Sequence, residues 1–284
     1  MRTRALQRFF TLFILSLLAT ALAARADLPG SLLDAVRGSG LVFRGTVRAV
    51  GRSTPTVPAE PRTAVVVVDR IIDEPDTVGN VTGKEVTVRF RDTPRLQPGQ
   101  SAVFFTQRYS AGTSLGLDEV GWLPAAEAEG IEAKVRAARA ALADEALARR
   151  LASAELVVVG VVGTPRPTEE ARGPHGSEHD PLWWQAPIRV DSVEKGRLPG
   201  NSATGATGAT ALGKGTVLAH YATSIDILWQ QAPRLKEGES GIFLLQPPGQ
   251  IPRFPPPGLV VVDPLDVLSR EQLDRVRRLL KGQR

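Results

Sequence analysis

The chain has 284 residues, three histidines, no cysteine and a single methionine, at position 1. Without cysteine it forms no disulfide and has no lipoprotein attachment site. Four of its 35 basic residues and none of its 30 acidic residues precede position 27, so the remaining chain is nearly neutral. That balance gives no electrostatic basis for binding nucleic acid, although the whole chain carries a formal charge of +5.

Residues 1–26 predict a secretory signal peptide. Three arginines within the first eight residues precede an apolar run at 9–18 and small residues that end in Ala24-Arg25-Ala26. This order predicts cleavage before Asp27. The alternative is an uncleaved membrane anchor, but the apolar segment 9–24 has 16 residues, fewer than the roughly 20 that span a bilayer. We therefore expect an exported protein, periplasmic or extracellular, with no transmembrane segment in its mature chain.

A short strand pattern with one internal glycine occurs twice. Residues 41–47 contain Gly45 and residues 156–162 contain Gly160, each as the fifth residue of the pattern. Later segments match in the same order: 64–69 with 186–191, 83–90 with 213–220, and 96–107 with 235–246. In the last pair Leu, Gly, Ser, Phe and Gln coincide at five of twelve positions. We interpret the chain as a tandem repeat of two β-rich units.

The matched strands keep their lengths while the connections between them grow by seven to nine residues in the second unit. Loops tolerate insertions and paired strands do not, so this pattern favours a fixed barrel or sandwich with variable loops. A fifth strand is predicted in each unit, at 115–123 and 258–262. Apolar residues three or four apart predict amphipathic helices at 125–151 and 269–280.

Five such strands, with a glycine inside the first, favour a small OB-like β-barrel in each unit. The alternative is a generic β-sandwich. The predicted fold is therefore mainly β with a few helices, as two tandem five-stranded OB-like β-barrels joined by a long amphipathic helix. The predicted domains are the signal peptide 1–26, a first barrel unit 27–124, a linker helix 125–152, and a second barrel unit with a C-terminal helix, 153–284.

The order of these elements resembles the OB-like barrels of the tissue-inhibitor-of-metalloproteinase and netrin-module type. The shared order is a strand with glycine, a strand ending in Val-Asp, a Gly-Lys turn, and Leu-x-x-Gly-x-Ser followed by Phe, over roughly 41–123 and 156–262. The resemblance implies a binding or interaction barrel. The metalloproteinase inhibitors act through an N-terminal cysteine, which this chain lacks, so the resemblance transfers the fold and no site.

Two motifs resemble enzyme signatures. Residues 112–116 fit G-x-S-x-G and would make Ser114 a nucleophile, but that site requires a helix after the serine and a histidine within reach. A predicted strand follows, and all three histidines lie in the second unit, so we expect a hairpin turn.

Residues 208–215 nearly fit a phosphate-binding loop. Gly215 stands where Ser or Thr is required and a strand is predicted to follow, which favours a loop and turn.

A cluster of possible metal ligands lies in an extended loop of the second unit. His175, Glu178, His179 and Asp180 fall within six residues and offer nitrogen and oxygen ligands to zinc, copper or nickel. Ordering such a loop costs entropy, and no cysteine completes the set. Weak metal binding is therefore one hypothesis and solvated loop residues the other. No motif predicts a cofactor.

Trp183 and Trp184 open a predicted strand, and Trp229 lies later in the same unit. Alternation places Trp184 on the face of Ala186 and Ile188, which predicts a core position. Trp183 faces the other side, where it is either an exposed anchor at a partner surface or a second packed tryptophan.

Together these patterns predict an exported, non-enzymatic binding or assembly module. We expect the extended loops of the second unit, around 164–185 and 222–235, to contact an unidentified protein or cell-envelope component. The three tryptophans of that unit would lie at the contact surface. The alternatives are an exported hydrolase, a weak metal-binding protein, or a structural domain of an envelope complex.

Overall fold

The structure is a computed structural model that describes residues 26–74, 80–111, 114–168, 181–198, 215–224, 226–227, 229–248 and 258–283. Contacts divide the chain into two units, one reaching to Leu142 and the other beginning at Ala143. The fold is mainly β with three α-helices in the ranges described. The predicted signal peptide, apart from Ala26, lies outside these ranges.

The first unit is a short helix followed by a closed five-strand barrel. Its elements are α1 (Leu32–Gly38), β1 (Leu41–Val50), β2 (Thr63–Asp73), β3 (Glu85–Arg89), β4 (Ser101–Ala111) and β5 (Ser114–Pro124). The strand order is β1-β2-β3-β5-β4, and β4 pairs back to β1. Only β3 and β5 run parallel; the other neighbours are antiparallel. The five-strand barrel predicted for this unit is confirmed, and its form is compatible with an OB-like barrel.

Period-two alternation along the strands builds two apolar layers in the first unit. Leu41 and Phe43 point into the barrel, where the rings of Phe43 and Phe104 stack with centroids 5.2 Å apart. The intervening Val42 packs outside the barrel with Phe105, together with residues of α1 and of the following helix. Strands that are covered on both sides carry apolar residues at successive positions, which accounts for the run 64–68 in β2.

The second closed barrel that the sequence predicts is not shown in the described residues of the second unit. Its strands are β6 (Leu156–Val162), β7 (Arg166–Pro167), β8 (Trp183–Lys195), β9 (Thr216–Ala222), β10 (Ser240–Leu245), β11 (Leu259–Val261) and β12 (Val267–Leu268). They form a curled half-barrel sheet in the order β11-β9-β8-β6-β10-β12, with β7 on β8.

In the described residues, the outer edge of β10 carries two short pairings. Two residues of that edge, Ile242 and Phe243, pair with β12. The only pairing found between the end of β10 and β11 in the described residues is one bridge, Gln246 with Val260. Since β11 has just three residues, no ladder comparable to that between β4 and β5 is formed.

In each unit the first strand carries its glycine where the neighbouring strand comes too close for a side chain. A Cβ atom on Gly45 would lie 2.6 Å from Val66 Cγ1 and 2.7 Å from Val67 O. A Cβ atom on Gly160 would overlap the carbonyl oxygen of Arg189. The strand register shifts immediately before both glycines. Close backbone approach at a bulge therefore explains both residues.

The helix predicted from residue 125 begins later and reaches Ser153. A 3-10 turn occupies Ala125–Glu127, and α2 then spans Ile131–Ser153. Ile131 and Val135 pack in the outer layer of the first unit, while Leu147 and Leu151 are buried in a cluster of the second. The role of this helix as a connection between two barrels stays a prediction.

The chain ends in a 3-10 turn, Arg270–Gln272, and the helix α3 (Leu273–Lys281). Ser269 precedes the turn, but its side chain makes no capping hydrogen bond. Val276 of α3 is fully buried in the cluster that contains Leu147 and Leu151. Among the residues described, none of the helices combines the length and the apolar character needed to cross a membrane.

Candidate functional site

A tryptophan pair marks the outer face of the second unit at the start of β8. The rings of Trp183 and Trp229 meet edge to face, with centroids 5.7 Å apart and an angle of 71° between their planes. Ala222, Ala232 and Val260 complete the buried cluster around them. Alternation explains the placement, because the neighbouring residues of β8, β9 and β11 belong to the inner core.

Backbone hydrogen bonds hold both tryptophans in place. Trp183 lies opposite Ala222 in the β8–β9 ladder, and its carbonyl oxygen accepts from Thr168 N at 3.0 Å. Trp229 N donates to Asp226 O at 2.9 Å, and Trp229 O accepts from Ala232 N at 3.0 Å, so this tryptophan sits between two tight turns. The described part of the 222–235 loop thus covers the outer end of β8.

The Trp183 indole is buried with an unsatisfied donor. Its side chain is only 4% exposed, and Nε1 has no hydrogen-bond partner among the described residues. An orphaned buried N–H costs on the order of 1–3 kcal/mol. Buried polar groups of this kind are uncommon in folded proteins, and each one calls for an explanation.

Two exposed apolar side chains lie next to this pair in the sequence. Ile227, two residues before Trp229, is 83% exposed, and Leu182, which precedes Trp183, is 36% exposed. The Leu182 backbone is fixed to the same loop, because its carbonyl oxygen accepts from Thr223 N at 2.9 Å. Leu182, Trp183, Ile227 and Trp229 together form what we call the tryptophan surface.

For the two adjacent tryptophans, the structure shows the core face predicted for Trp184 and the packed one of the two alternatives left open for Trp183. Trp184 lies on the core face with Ala186 and Ile188, as predicted, but it is only partly buried. Its ring centroid is 6.5 Å from that of Tyr221. Trp183 is the more deeply buried of the two and is not an exposed anchor, because the loop that carries Trp229 covers it. Sequence reasoning missed Ile227, whose only signal was its place in the largely apolar stretch Ile225-Asp226-Ile227-Leu228-Trp229.

The proposed metal ligands His175, Glu178, His179 and Asp180 lie outside the described residues, so metal binding there stays a prediction. Within the residues that are described, no group of three or more His, Cys, Asp and Glu side chains could hold a metal ion. The one histidine in these ranges, His220, is buried in β9, with Nδ1 3.3 Å from the carbonyl oxygen of Leu259.

The two enzyme-like motifs fall at strand ends. Ser114 begins β5, which pairs antiparallel with β4 so that Ala111 lies opposite Ser114. A strand therefore follows the serine, where a nucleophile elbow requires a helix. Most of the phosphate-loop lookalike lies outside the described residues, but Thr216, directly after it, begins β9. The strand predicted after that motif is confirmed.

A buried carboxylate at one end of the first barrel was not predicted. Glu119 of β5 is 8% exposed, and its Oε2 accepts a hydrogen bond from Arg91 N at 3.0 Å. Burial raises the pKa of Glu119, and the nearby carboxylates of Asp27 and Asp92 raise it further, against the opposing effect of Arg91. The sequence signal was an acid between Leu117 and Trp122, both of which point into the barrel.

A scan against models of known protein families gave no match, and a search of curated proteins gave none either. The closed five-strand barrel of the first unit is compatible with OB-like barrels, and the resemblance to the metalloproteinase-inhibitor and netrin-module type stays a prediction.

Proposed function

We propose that the protein is an exported, non-enzymatic binding module that captures a protein partner of its own compartment through the tryptophan surface. Export is expected from the signal-peptide pattern of residues 1–26. The partner presents a complementary apolar surface that covers Ile227 and Leu182 and packs against the loop above Trp183.

The observation that carries this proposal is the exposure of Ile227 beside a buried aromatic pair. Isolated exposed apolar side chains are common, but this one belongs to a loop whose turns are fixed on both sides of Trp229. Aromatic residues surrounded by apolar neighbours are typical of the centres of protein interfaces. A partner would remove Ile227 from water without requiring the sheet beneath to change.

The tandem origin of the two units is also part of the proposal. It is supported by the matched close approaches at Gly45 and Gly160 and by the parallel pairing of β3 with β5 and of β9 with β11. If both units descend from one barrel, the tryptophan surface is a feature that the second unit gained in its longer loops.

The test is a pull-down from the native exported fraction with three forms of the protein. Ile227→Asp should reduce retention of the partner at least tenfold, because a charge would be buried in an apolar contact. Val193→Asp is the matched control, since Val193 is a 39% exposed apolar residue on β8 outside the tryptophan surface. It should retain the partner as the wild type does.

Equal retention by Ile227→Asp and Val193→Asp would contradict the proposed surface. Equal circular dichroism spectra and urea midpoints for the three forms establish that any difference is one of binding. Fractionation of the expressing cells tests export separately: a chain that stays in the cytoplasm with residues 1–26 attached would contradict that part of the proposal.

A further inference from the structure

The backbone of Asp27 is bound to the barrel of the first unit. Asp27 N donates to Trp122 O at 3.0 Å, and Trp122 N donates to Asp27 O at 2.8 Å. The neighbouring Gly121 makes this approach possible, because a Cβ atom there would lie 2.6 Å from Asp27 O and 3.0 Å from Pro29 Cδ. Any other residue at 121 would displace the segment that begins at Asp27.

The segment is also fixed on its other side. Ser31 caps α1: its Oγ accepts from Asp34 N, and its own backbone N donates to Asp34 Oδ2, both at 3.2 Å. Leu28 and Leu32 pack against the outer apolar layer of the barrel. Residues 27–34 therefore have a defined path, and the nitrogen of Asp27 has a defined position at Trp122 O.

The same nitrogen is the one that the predicted processing would free. Hydrolysis of the Ala26–Asp27 peptide bond by a signal peptidase consumes one water, leaves a carboxylate on Ala26 and leaves an ammonium group on Asp27. A free α-amino group has a pKa of roughly 7.7–8.0, so it is mostly charged at neutral pH and below. The ammonium keeps the hydrogen bond to Trp122 O and gains two further donors.

Acidic side chains outnumber basic ones in the cavity beside Asp27. A small cavity at the end of the barrel is lined by Asp27, Asp92, Arg95 and Glu119, with Phe90 and Trp122 beneath them. Glu119 is buried, and in the described residues it makes no ion pair; its hydrogen bond comes from a backbone amide. The side chain of Arg91 instead donates to the carbonyl oxygen of Val120. Three carboxylates and one guanidinium thus line the cavity to which Asp27 belongs.

We infer that processing before Asp27 creates a structural group, the α-ammonium of Asp27, which binds Trp122 O and serves as the cationic partner of the buried Glu119 carboxylate. Removal of the signal peptide would then complete the first barrel and stabilise it. This inference rests on the export part of the proposed function and is independent of the tryptophan surface. Since burial and the nearby carboxylates raise the pKa of Glu119, an ammonium beside it would lower that pKa again.

The experiment is a double-mutant cycle on the chain from residue 27 to its end. One form begins at Asp27 with a free amine; in the other, Ala26 and a neutral Gly-Ser extension precede it. Each is made with Glu119 and with Glu119→Gln, and the unfolding constant of β5 is measured at pH 6 by hydrogen exchange in urea. Glu119→Gln should raise the unfolding constant roughly tenfold more in the form with the free amine, as expected for a hydrogen bond between charged groups.

Asp118→Asn is the matched control, since Asp118 on the same strand pairs with Arg89 at 2.7 Å and should respond equally in both forms. Equal effects of Glu119→Gln in the two forms would overturn the inference. N-terminal sequencing of the exported protein supplies the second criterion: a first residue other than Asp27 overturns the inference while leaving export intact. A chain found only in the cytoplasm would contradict the export proposal itself.

Discussion

Among the charged residues described in the second unit, Asp266 should be the one whose replacement lowers the free energy of unfolding most. Its side chain is fully buried in the 3-10 turn Pro264–Asp266. Arg150, near the end of α2, donates to it through Nε at 2.8 Å and through Nη2 at 2.6 Å. The backbone nitrogens of Val262 and Asp263 each donate to Oδ2 at 2.9 Å. One carboxylate thus joins α2 to the segment that follows β11.

Replacement of Asp266 by Ala leaves a largely buried guanidinium and two backbone N–H groups without their acceptor. Loss of one partner of a buried ion pair costs about 3–5 kcal/mol, because the remaining charge is left in a poorly solvated place. We therefore expect Asp266→Ala to lower the free energy of unfolding of this unit by about that amount. Arg150→Met should cost less than Asp266→Ala, since the two backbone N–H groups still bind the carboxylate.

The same helix offers a matched control one residue earlier. Arg149 and Glu145 form an exposed pair at 2.8 Å, four residues apart on α2. Exposed helical pairs contribute about 0.3–0.5 kcal/mol, so Glu145→Gln should have a small effect on the free energy of unfolding.

The chain has four tryptophans, and only Trp122 lies in the first unit. In a Trp122→Phe background, urea unfolding followed by tryptophan emission therefore reports on the second unit alone.

The double variant Arg150→Met with Asp266→Ala completes the cycle. It should lose less than the sum of the two single losses, because neither charge is then left unpaired. A loss below about 1 kcal/mol for Asp266→Ala, or strict additivity of the two changes, would refute the view that this pair holds α2 to the sheet.

Three further predictions concern single residues. Gly160→Ala should lower the free energy of unfolding by about 1–3 kcal/mol, because the added Cβ atom overlaps the neighbouring strand. Gly40→Ala is the control and should not lower it, because a Cβ atom there meets nothing within 4 Å. Equal urea midpoints for the two variants would refute the close-approach argument. In a chain that retains residues before Asp27, protonated Glu119 should contribute to the free energy of unfolding. This contribution should be fully present below the ordinary pKa of 4.5 and lost as pH rises through the raised pKa of the folded state. A pH profile of urea midpoints that Glu119→Gln leaves unchanged would contradict this. Lys195 Nζ donates to Leu151 O at 2.6 Å and to Ala152 O at 2.9 Å. Lys195→Met should therefore destabilise the end of α2 by about 1 kcal/mol. Unchanged hydrogen exchange in the last turn of α2 would show that the contact contributes nothing.

The strands of the first unit could be predicted because each is covered on both sides or alternates regularly. The fifth strand, predicted at 115–123, is found at Ser114–Pro124, and the glycine pattern at 41–47 falls inside β1. The closed barrel follows from five strands of sufficient length. Local pattern and long-range pairing agree here, so the sequence was sufficient.

The edge pairing of the second sheet could not be read from the sequence, because the two segments that pair there, β11 and β12, have only three and two residues. Residues 267–268 are too few to show a strand pattern, yet they occupy the edge of β10. For a similar reason, the sequence left open whether Trp183 is exposed or packed. Alternation assigned its face correctly, but whether that face is open depends on the loop around Trp229, which has no periodic signal.

The two units differ in what covers the outer faces of their sheets, and this difference explains where a binding surface can form. In the first unit, residues of α1 and α2 cover the outer layer at Val42 and Phe105 with regular helix. In the second, α2 and α3 residues cover Val157 and Ile242, whereas the outer face at Trp183 is covered by a loop. Among the described residues, one indole donor under that loop has no hydrogen-bond partner, and one isoleucine is exposed to water. Exposure of the isoleucine costs free energy, and a protein that binds over it removes that cost, which is why we assign partner capture to this face.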